Sequence, residues 1–179
     1  MTFSRFVLPS LAVIVFACTA SVASAQPGPV GGNKQGGNKQ GGNTQAKSGK
    51  LTPERVATLL KSKVQANQDG SKAIVANVTK DGWQFDIVIV FLADGKVFDI
   101  YSPLTGANPN FTEAQIQGME EKNKELKAAQ KGFMLNNQDN RLYFANINFL
   151  VTMNDQTFLQ ELDAHCAAIR ESYDLWKQQ

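Results

Sequence analysis

The stretch "AIVANVTKDGWQFDIVIVFLADGKVFDIY", residues 73–101, decides the fold, because it contains three apolar segments separated by two turn signals. The turn signals are Lys80-Asp81-Gly82 and Asp94-Gly95, and Asp-Gly pairs are typical of tight hairpin turns. The apolar segments are rich in β-branched and aromatic residues, which favour strands, and they span 73–79, 83–92 and 97–101. The stretch therefore predicts a three-stranded antiparallel meander.

The middle segment of the meander is apolar on both faces towards its end. Alternate residues of a strand point to opposite sides, and one side is apolar throughout: Trp83, Phe85, Ile87, Ile89 and Phe91. The other side begins with Gln84 and Asp86 and becomes apolar at Val88, Val90 and Leu92. We expect helices to cover the first side and a partner or a second copy of the chain to cover part of the second. Val88, Val90 and Leu92 are therefore candidate residues of a dimer or partner-binding surface.

Two helices flank the meander. The first begins after the N-cap residue Thr52, has Pro53 at its first position, and ends at residues 68–70. Its apolar face consists of Val56, Leu59, Leu60 and Val64. The second begins at a capping box, Thr112 to Gln115, and runs to about Gln130 with few apolar residues on its surface.

The C-terminal segment from about Asp155 predicts a third helix with one apolar stripe, formed by Leu159, Leu162, Cys166, Ile169, Tyr173 and Trp176. A place in this stripe favours Cys166 as a buried core residue. A reactive thiol activated by His165 and a disulfide to a second copy are the alternatives. Geometry opposes the first alternative, because neighbouring residues on a helix do not face each other.

Two further strands are predicted at Phe133–Asn136 and Arg141–Thr152. Asn146 and Asn148 lie on one face of the second. They either hydrogen-bond the backbone of a bound peptide or form the exposed polar face of a two-sided sheet. The predicted fold class is α+β, in the order helix, three-stranded meander, helix, two strands, helix. A single domain, residues 51–179, would thus contain a five-stranded antiparallel sheet with flanking helices.

Residues 1–25 have the pattern of a signal peptide. Arg5 precedes the apolar run of residues 6–17, and Ala23-Ser24-Ala25 is a small-residue cleavage site. We expect an exported protein of the periplasm or the extracellular space. A lipid anchor on Cys18 is the alternative. The rest of the chain has no apolar run of the length, about 18 residues, that predicts a membrane-spanning helix.

Residues 26–50 are rich in Gly, Asn and Gln and contain three near-copies of a five-residue unit, "GGNKQGGNKQGGNTQ". Their only hydrophobic residues are Val30 and Ala46, so this composition predicts a disordered spacer. A recognition tract, for example for the cell wall, is the alternative. The segment carries four Lys and no acidic residue, which is too dilute a charge to predict nucleic-acid binding.

Motifs of common catalytic sites are missing from the sequence. It contains no G-x-S-x-G, no phosphate-binding loop, no dinucleotide fingerprint and no paired C-x-x-C. His165 is the chain's one histidine, which excludes a two-histidine metal site. We therefore predict no enzymatic activity, no catalytic residue, no cofactor and no metal.

The order of elements over residues 51–179 resembles that of the YbjN family, whose fold is shared with type III secretion chaperones. The resemblance also rests on Met134-Leu135-Asn136-Asn137 leading into Arg141-Leu142-Tyr143-Phe144, and on the helix from Leu162 to Trp176. It implies a compact α+β domain that is commonly a homodimer and has no enzymatic activity. The signal peptide and spacer depart from the pattern, because secretion chaperones act in the cytoplasm.

These features together predict an exported, chaperone-like binding module that forms a homodimer. It would capture a peptide or a partner protein on a sheet edge or an apolar surface. The alternative is a structural or stress-related envelope protein that only associates with itself.

Overall fold

The computed structural model of the chain describes residues 28–29 and 51–178, so the predicted signal peptide and most of the predicted spacer lie outside the described residues. The helices are α1 Pro53–Leu59, α2 Glu113–Leu126, α3 Asp155–Glu171 and α4 Tyr173–Trp176. Short 3-10 turns follow at Lys127–Ala129 and Leu150–Thr152. The strands are β1 Gly28–Pro29, β2 Val64–Ala66, β3 Lys72–Lys80, β4 Trp83–Phe91, β5 Val97–Pro103, β6 Lys131–Asn136 and β7 Arg141–Phe149.

The strands form one antiparallel sheet in the order β2-β3-β4-β5-β7-β6, with the two-residue β1 paired to β4. β3, β4 and β5 are consecutive neighbours, which confirms the predicted meander. The α+β class is confirmed, and β2 brings the main path to six strands instead of the predicted five. None of the helices in the described ranges is both long and apolar enough to cross a membrane.

β2 replaces the end of the first predicted helix. α1 ends at Leu59, and Lys61 has a φ of +51°, a left-handed conformation that breaks the helical path. Val64, predicted on the helix face, instead pairs with Ile74 of β3. The prediction was wrong here because the seven-residue helix is too short to compete with pairing along an available strand edge.

The predicted helix starts are confirmed. Thr52 accepts a hydrogen bond from the Arg55 N–H at 3.2 Å, and Thr112 and Gln115 form the predicted capping box. α2 ends at Leu126, four residues before the predicted end, and continues as a 3-10 turn up to the left-handed Gln130. These ends follow from local side-chain chemistry, because a capping side chain satisfies N–H groups that the helix leaves free.

The main core lies between one side of the sheet and the helices, and we call this side of the sheet the inner face. Phe85, Ile87 and Ile89 of β4 are fully buried there. The helices contribute Val56, Ala57, Met119, Phe158, Leu162, Cys166, Ile169 and Trp176. Cys166 is buried, as its stripe position predicts, whereas Leu159 is 40% exposed and Phe158 is buried in its place. The predicted stripe was therefore displaced by one residue at its N-terminal end.

The imidazole of His165 is buried in this core. His165 has no exposed surface, and its Nε2 lies 3.0 Å from the Oγ of the equally buried Ser102. The Nδ1 atom has no hydrogen-bond partner in the described part of the chain. Burial, with a smaller contribution from Lys131, lowers the pKa of His165 to about 3. The imidazole is therefore neutral in the folded protein at any pH above that value.

The pKa of His165 makes folding sensitive to acid. In the unfolded chain the pKa of His165 is near 6.5. Between pH 6.5 and about 3 the unfolded chain therefore binds a proton at His165, whereas the folded chain does not. The stabilising contribution is complete above pH 6.5 and is lost as the pH falls. From pH 7 to pH 5 we expect His165 to lower the free energy of unfolding by about 2 kcal/mol.

Urea unfolding at both pH values measures this loss, and His165→Phe is the matched variant because phenylalanine does not titrate. The wild-type value should drop by about 2 kcal/mol more than that of His165→Phe. Parallel pH dependence in the two proteins would contradict a buried neutral imidazole.

Candidate functional site

The second side of the sheet carries its own apolar cluster, and we call this side the outer face. Its members are Val75, Val88, Val90, Leu92, Tyr101, Met134, Tyr143 and Ala145, with Asp99 between them. All of them belong to strands or to the turn directly after β4. The apolar residues that the described helices contribute to a core all belong to the inner cluster. Within the described ranges, therefore, no helix contributes an apolar residue to the outer cluster.

An acidic residue lies in the middle of this apolar surface. Strand register places Asp99 between Val90 of β4 and Ile147 of β7. Asp99 is 9% exposed, and its Oδ2 accepts a hydrogen bond from the Tyr101 hydroxyl at 2.8 Å. The second carboxylate oxygen, Oδ1, is buried and has no hydrogen-bond partner among residues 51–178. A buried acceptor without a donor is unfavourable, so a donor that reached this oxygen would lower the free energy of the folded chain.

The surroundings of Asp99 affect its protonation. Burial raises the pKa of the Asp99 carboxyl, while the Tyr101 hydrogen bond acts in the opposite direction and is the smaller effect. Burial also raises the pKa of Tyr101, which keeps its hydroxyl protonated and able to donate. The pair therefore presents one satisfied and one unsatisfied acceptor within an apolar surface. A backbone N–H, an amide, a hydroxyl or a cationic side chain would satisfy the free oxygen.

The candidate residues predicted from the sequence lie on two different faces. Val88, Val90 and Leu92 lie together on the outer face. Asn146 and Asn148 lie on the inner face, where both are buried. The structure does not bring the two groups together, because the two faces are separated by the sheet itself.

Both asparagines have contacts within the chain. Asn146 Nδ2 lies 3.4 Å from Glu161 Oε2 of α3, and Asn148 Nδ2 lies 3.4 Å from the Asn146 carbonyl oxygen. Glu161 also forms an ion pair with Lys131 at 3.0 Å. The alternative of an exposed polar face was therefore wrong for these two residues, because both are buried.

The members of the outer cluster are not equally accessible. Val90 is only 2% exposed, so its neighbours already enclose it in the single chain. Val75, Leu92, Met134, Tyr143 and Ala145 are partly exposed and surround the more buried members. A molecule that docks on the outer face would therefore contact these partly exposed side chains before Val90.

Asp99 and Tyr101 were not identified as candidates from the sequence. The available signal is an acidic residue inside the apolar segment 97–101, two positions before a tyrosine and so on the same side of the strand. Within one strand this pattern does not show which side the helices cover. Only the packing of the helices identifies Asp99 as a residue of the outer face.

The edges of the sheet limit where another strand can add. The end strands are β2, which has only three residues, and β6. On β6, both backbone groups of Phe133 bond to the side chain of Asn123 from α2. The Phe133 N–H donates to Asn123 Oδ1 at 2.7 Å, and Asn123 Nδ2 donates to the Phe133 carbonyl oxygen at 3.0 Å. Asn123 thus takes the place of a neighbouring strand at this point.

The close approach of Asn123 depends on the glycine before Phe133. A Cβ atom on Gly132 would lie 2.7 Å from Asn123 Oδ1, closer than such atoms approach. Asn123 of α2 therefore has a structural role. It blocks one edge of the sheet from pairing with a further strand.

The thiol and the imidazole of α3 are not arranged for catalysis. Burial raises the pKa of the Cys166 thiol to about 12, so the thiolate is scarce at neutral pH. His165 contacts Ser102 and packs edge-on against Phe144, and both polar partners are buried. No group of three or more metal-ligating side chains occurs in the described part of the chain.

No family model and no curated protein matches the chain. Two solved structures are similar to it. The crystal structure of the ExsC–ExsE complex matches at 13% identity and a TM-score of 0.42, covering 60% of this chain and 78% of the other. The structure of the HopA1–SchA chaperone–effector complex matches at 12% identity and a TM-score of 0.45, covering 66% of this chain and 87% of the other.

Replacing Asp99 tests whether the buried carboxylate destabilises the free chain. Its folded pKa is raised, so the stability it contributes is present below its unfolded pKa of 3.8 and is lost as the pH rises. We expect Asp99→Asn to have a higher free energy of unfolding than the wild type at pH 7. The difference should shrink as the pH approaches 3.8, and urea unfolding at several pH values measures it.

The matched control is Asp86→Asn, which removes another carboxylate from the same side of the sheet. Asp86 is half-buried and accepts a hydrogen bond from Asn77 at 2.9 Å, so it has a partner that Asp99 Oδ1 lacks. Asp86→Asn should not stabilise the protein. A lower stability of Asp99→Asn at pH 7 would show that the charged carboxylate is satisfied within the chain.

Replacing Asn123 tests how the β6 edge is blocked. Asn123→Ala leaves the outward N–H and C=O of Phe133 without partners and should lower the free energy of unfolding by about 1–3 kcal/mol. The Phe133 amide should also exchange its hydrogen faster. Gln117→Ala is the control on the same helix, because Gln117 is exposed and its amide donates a hydrogen bond to Glu121 of α2. An unchanged Phe133 exchange rate in Asn123→Ala would refute the edge-blocking role.

Proposed function

We propose that this protein is a non-enzymatic binding module that captures a peptide or a partner protein on its outer face, as a chaperone does. The observation that carries the proposal is the buried Asp99 Oδ1, an acceptor without a donor at the centre of an apolar cluster. Folded chains rarely leave such a group unsatisfied, so it calls for an explanation, and a donor from a bound partner would supply one. The partner therefore has to supply both apolar surface and a hydrogen-bond donor.

Recognition would combine two contributions. Apolar side chains of the partner would pack on the partly exposed Val75, Leu92 and Met134, and release of water from these surfaces would drive association. A donor placed over Asp99 would form a charge-assisted hydrogen bond, worth about 1.5–3 kcal/mol. A segment without a donor would leave the carboxylate buried and unpaired. Asp99 would thus select against purely apolar surfaces.

The location proposed for this activity is outside the cytoplasm. It rests on the signal-peptide pattern of residues 1–25, with the small-residue site Ala23-Ser24-Ala25. Export separates this protein from chaperones that receive their partners in the cytoplasm. Its partner would be an envelope or secreted polypeptide.

The second candidate function is that of a structural or stress-related envelope protein that pairs only with itself, as a homodimer. The apolar outer face supports it, because symmetric pairing is a common way to cover such a surface. Face-to-face pairing about a two-fold axis at Asp99 would, however, bring two carboxylates together without supplying a donor to either. Asp99 therefore favours a partner of different sequence over a second copy on this face.

Photo-cross-linking in the producing cells separates the two candidates. A photoreactive phenylalanine analogue at Val75, on the outer face, should form a cross-link to a distinct protein at high yield. The control is the same analogue at Leu159, which is 40% exposed on α3 and lies away from the outer cluster.

Mass spectrometry then identifies what is attached. Cross-links from position 75 to another copy of the chain alone would support self-association and overturn capture. Equal yields of the same products from positions 75 and 159 would refute a role of the outer face in either process.

A further inference from the structure

One side of β4 is only half occupied by β5. β3 pairs with all of β4, from Trp83 to Phe91. β5 pairs only with its C-terminal part, from Val88 to Phe91, although β5 continues for two residues beyond the last pair, Val88 with Tyr101. In its last residues β5 pairs with β7 alone. The N-terminal half of β4 therefore has a side that β5 does not cover.

A proline explains where the pairing stops. If the register continued, Pro103 would lie opposite Asp86. The backbone bonds from Leu92 to Val97 and from Leu104 to Leu142 show which residues of β5 face each neighbour, and they place Pro103 on the β4 side. Proline has no N–H to donate, so it cannot complete this pair.

The same alternation identifies the backbone groups of β4 that have no partner on β5. Its even-numbered residues direct their N–H and C=O groups towards β5, as Val88 and Val90 do where β5 is present. Gln84 and Asp86 therefore direct theirs into the uncovered half. An interior strand with a short open side offers a place where another extended segment can pair.

A segment of the chain's own N-terminal region occupies part of this place. Gly28 pairs with Gln84 and Pro29 with Trp83, in antiparallel orientation. Gly28 lies opposite Gln84, whose backbone groups point into the uncovered half, and Gly28 has an N–H that can donate to the Gln84 carbonyl oxygen. Pro29, which has none, lies at the adjacent position, where the N–H would point away from β4. The order Gly-Pro thus suits this register.

We propose that the uncovered half of β4 is a binding site for an extended polypeptide strand, and that the Gly28–Pro29 segment is its resident occupant. The segment would have to leave before a partner could pair with Gln84 and Asp86. The pairing of Gly28–Pro29 with β4 does not depend on the proposed function. The further idea that this segment acts as a gate, which must open before a partner binds, rests on the proposed function.

The length of the pairing suits a displaceable occupant. Among the described residues the register of this segment covers Trp83 and Gln84, two positions against the five or six of an average strand. A partner strand lying opposite 83–87 would engage the outward groups of both Gln84 and Asp86. The longer pairing would compete favourably with the shorter one.

Hydrogen exchange of the Gln84 amide, measured by NMR on the full chain, tests the occupancy. Gly28→Pro removes the N–H that faces Gln84 and should accelerate Gln84 exchange at least about tenfold, because an amide released from pairing exchanges through local opening. The Val90 amide, which faces β5, should be unaffected. The control Gly36→Pro makes the same change eight residues further along the chain. Equal Gln84 exchange rates in Gly28→Pro and Gly36→Pro would overturn the proposal.

A synthetic peptide of residues 26–35 provides the second arm. Added to the Gly28→Pro variant, it should slow Gln84 exchange again, whereas a peptide of the same composition in scrambled order should not. Equal effects of the two peptides would refute a sequence-specific strand site.

The gate is tested with the cross-linker at Val75. If a partner is captured there, Gly28→Pro should raise the yield at least about twofold over Gly36→Pro, since removing a competing occupant increases the competent fraction. Equal yields would refute the gate while leaving capture intact. No cross-linked partner, together with accelerated Gln84 exchange, would refute capture while leaving the occupancy intact.

Discussion

The pairing of β4 with β3 is the constraint on which the rest of the structure depends. All nine residues of β4 are paired with β3, and from Ile87 onwards the strand is apolar on both sides. Such a strand cannot be solvated on either side, so each side needs a cover. The helices cover the inner face. On the outer face the strand side chains cover one another only in part. The core and the candidate site therefore lie on opposite sides of the same strand, β4.

Buried polar groups lie on both sides of the sheet, but their settings differ. Asn146 of β7 and His165 of α3 are buried on the inner side of the sheet, and each has one polar contact within the chain, although Asn146 Oδ1 and His165 Nδ1 have no hydrogen-bond partner among the described residues. Asp99 lies on the outer face with one oxygen unsatisfied. We expect a carboxylate in this position to lower the stability of the free chain, and its presence is intelligible if a bound partner supplies the missing donor.

The sheet blocks one edge and leaves another place open. Asn123 bonds both outward groups of Phe133, and Gly132 lets it approach closely enough to do so. Pro103 has the opposite effect, because it ends the pairing of β5 with β4 and leaves backbone groups of β4 to another strand. Asn123 thus prevents strand addition at the β6 edge of the sheet, and Pro103 permits it beside the interior strand β4.

The sequence by itself determined the features that depend on near neighbours in the chain. Asp-Gly turns predicted the meander, and Thr52 and Thr112 predicted the helix starts, because turn and capping chemistry act within a few residues. The sequence missed β2, since a three-residue strand exists only through its pairing with β3. It also made both Val90 and Asn146 candidate binding residues, although they lie on opposite faces of the sheet. An alternating pattern separates the two sides of a strand, but which side the helices cover is decided by tertiary packing. For the same reason Asp99 became a candidate site residue only in the folded structure.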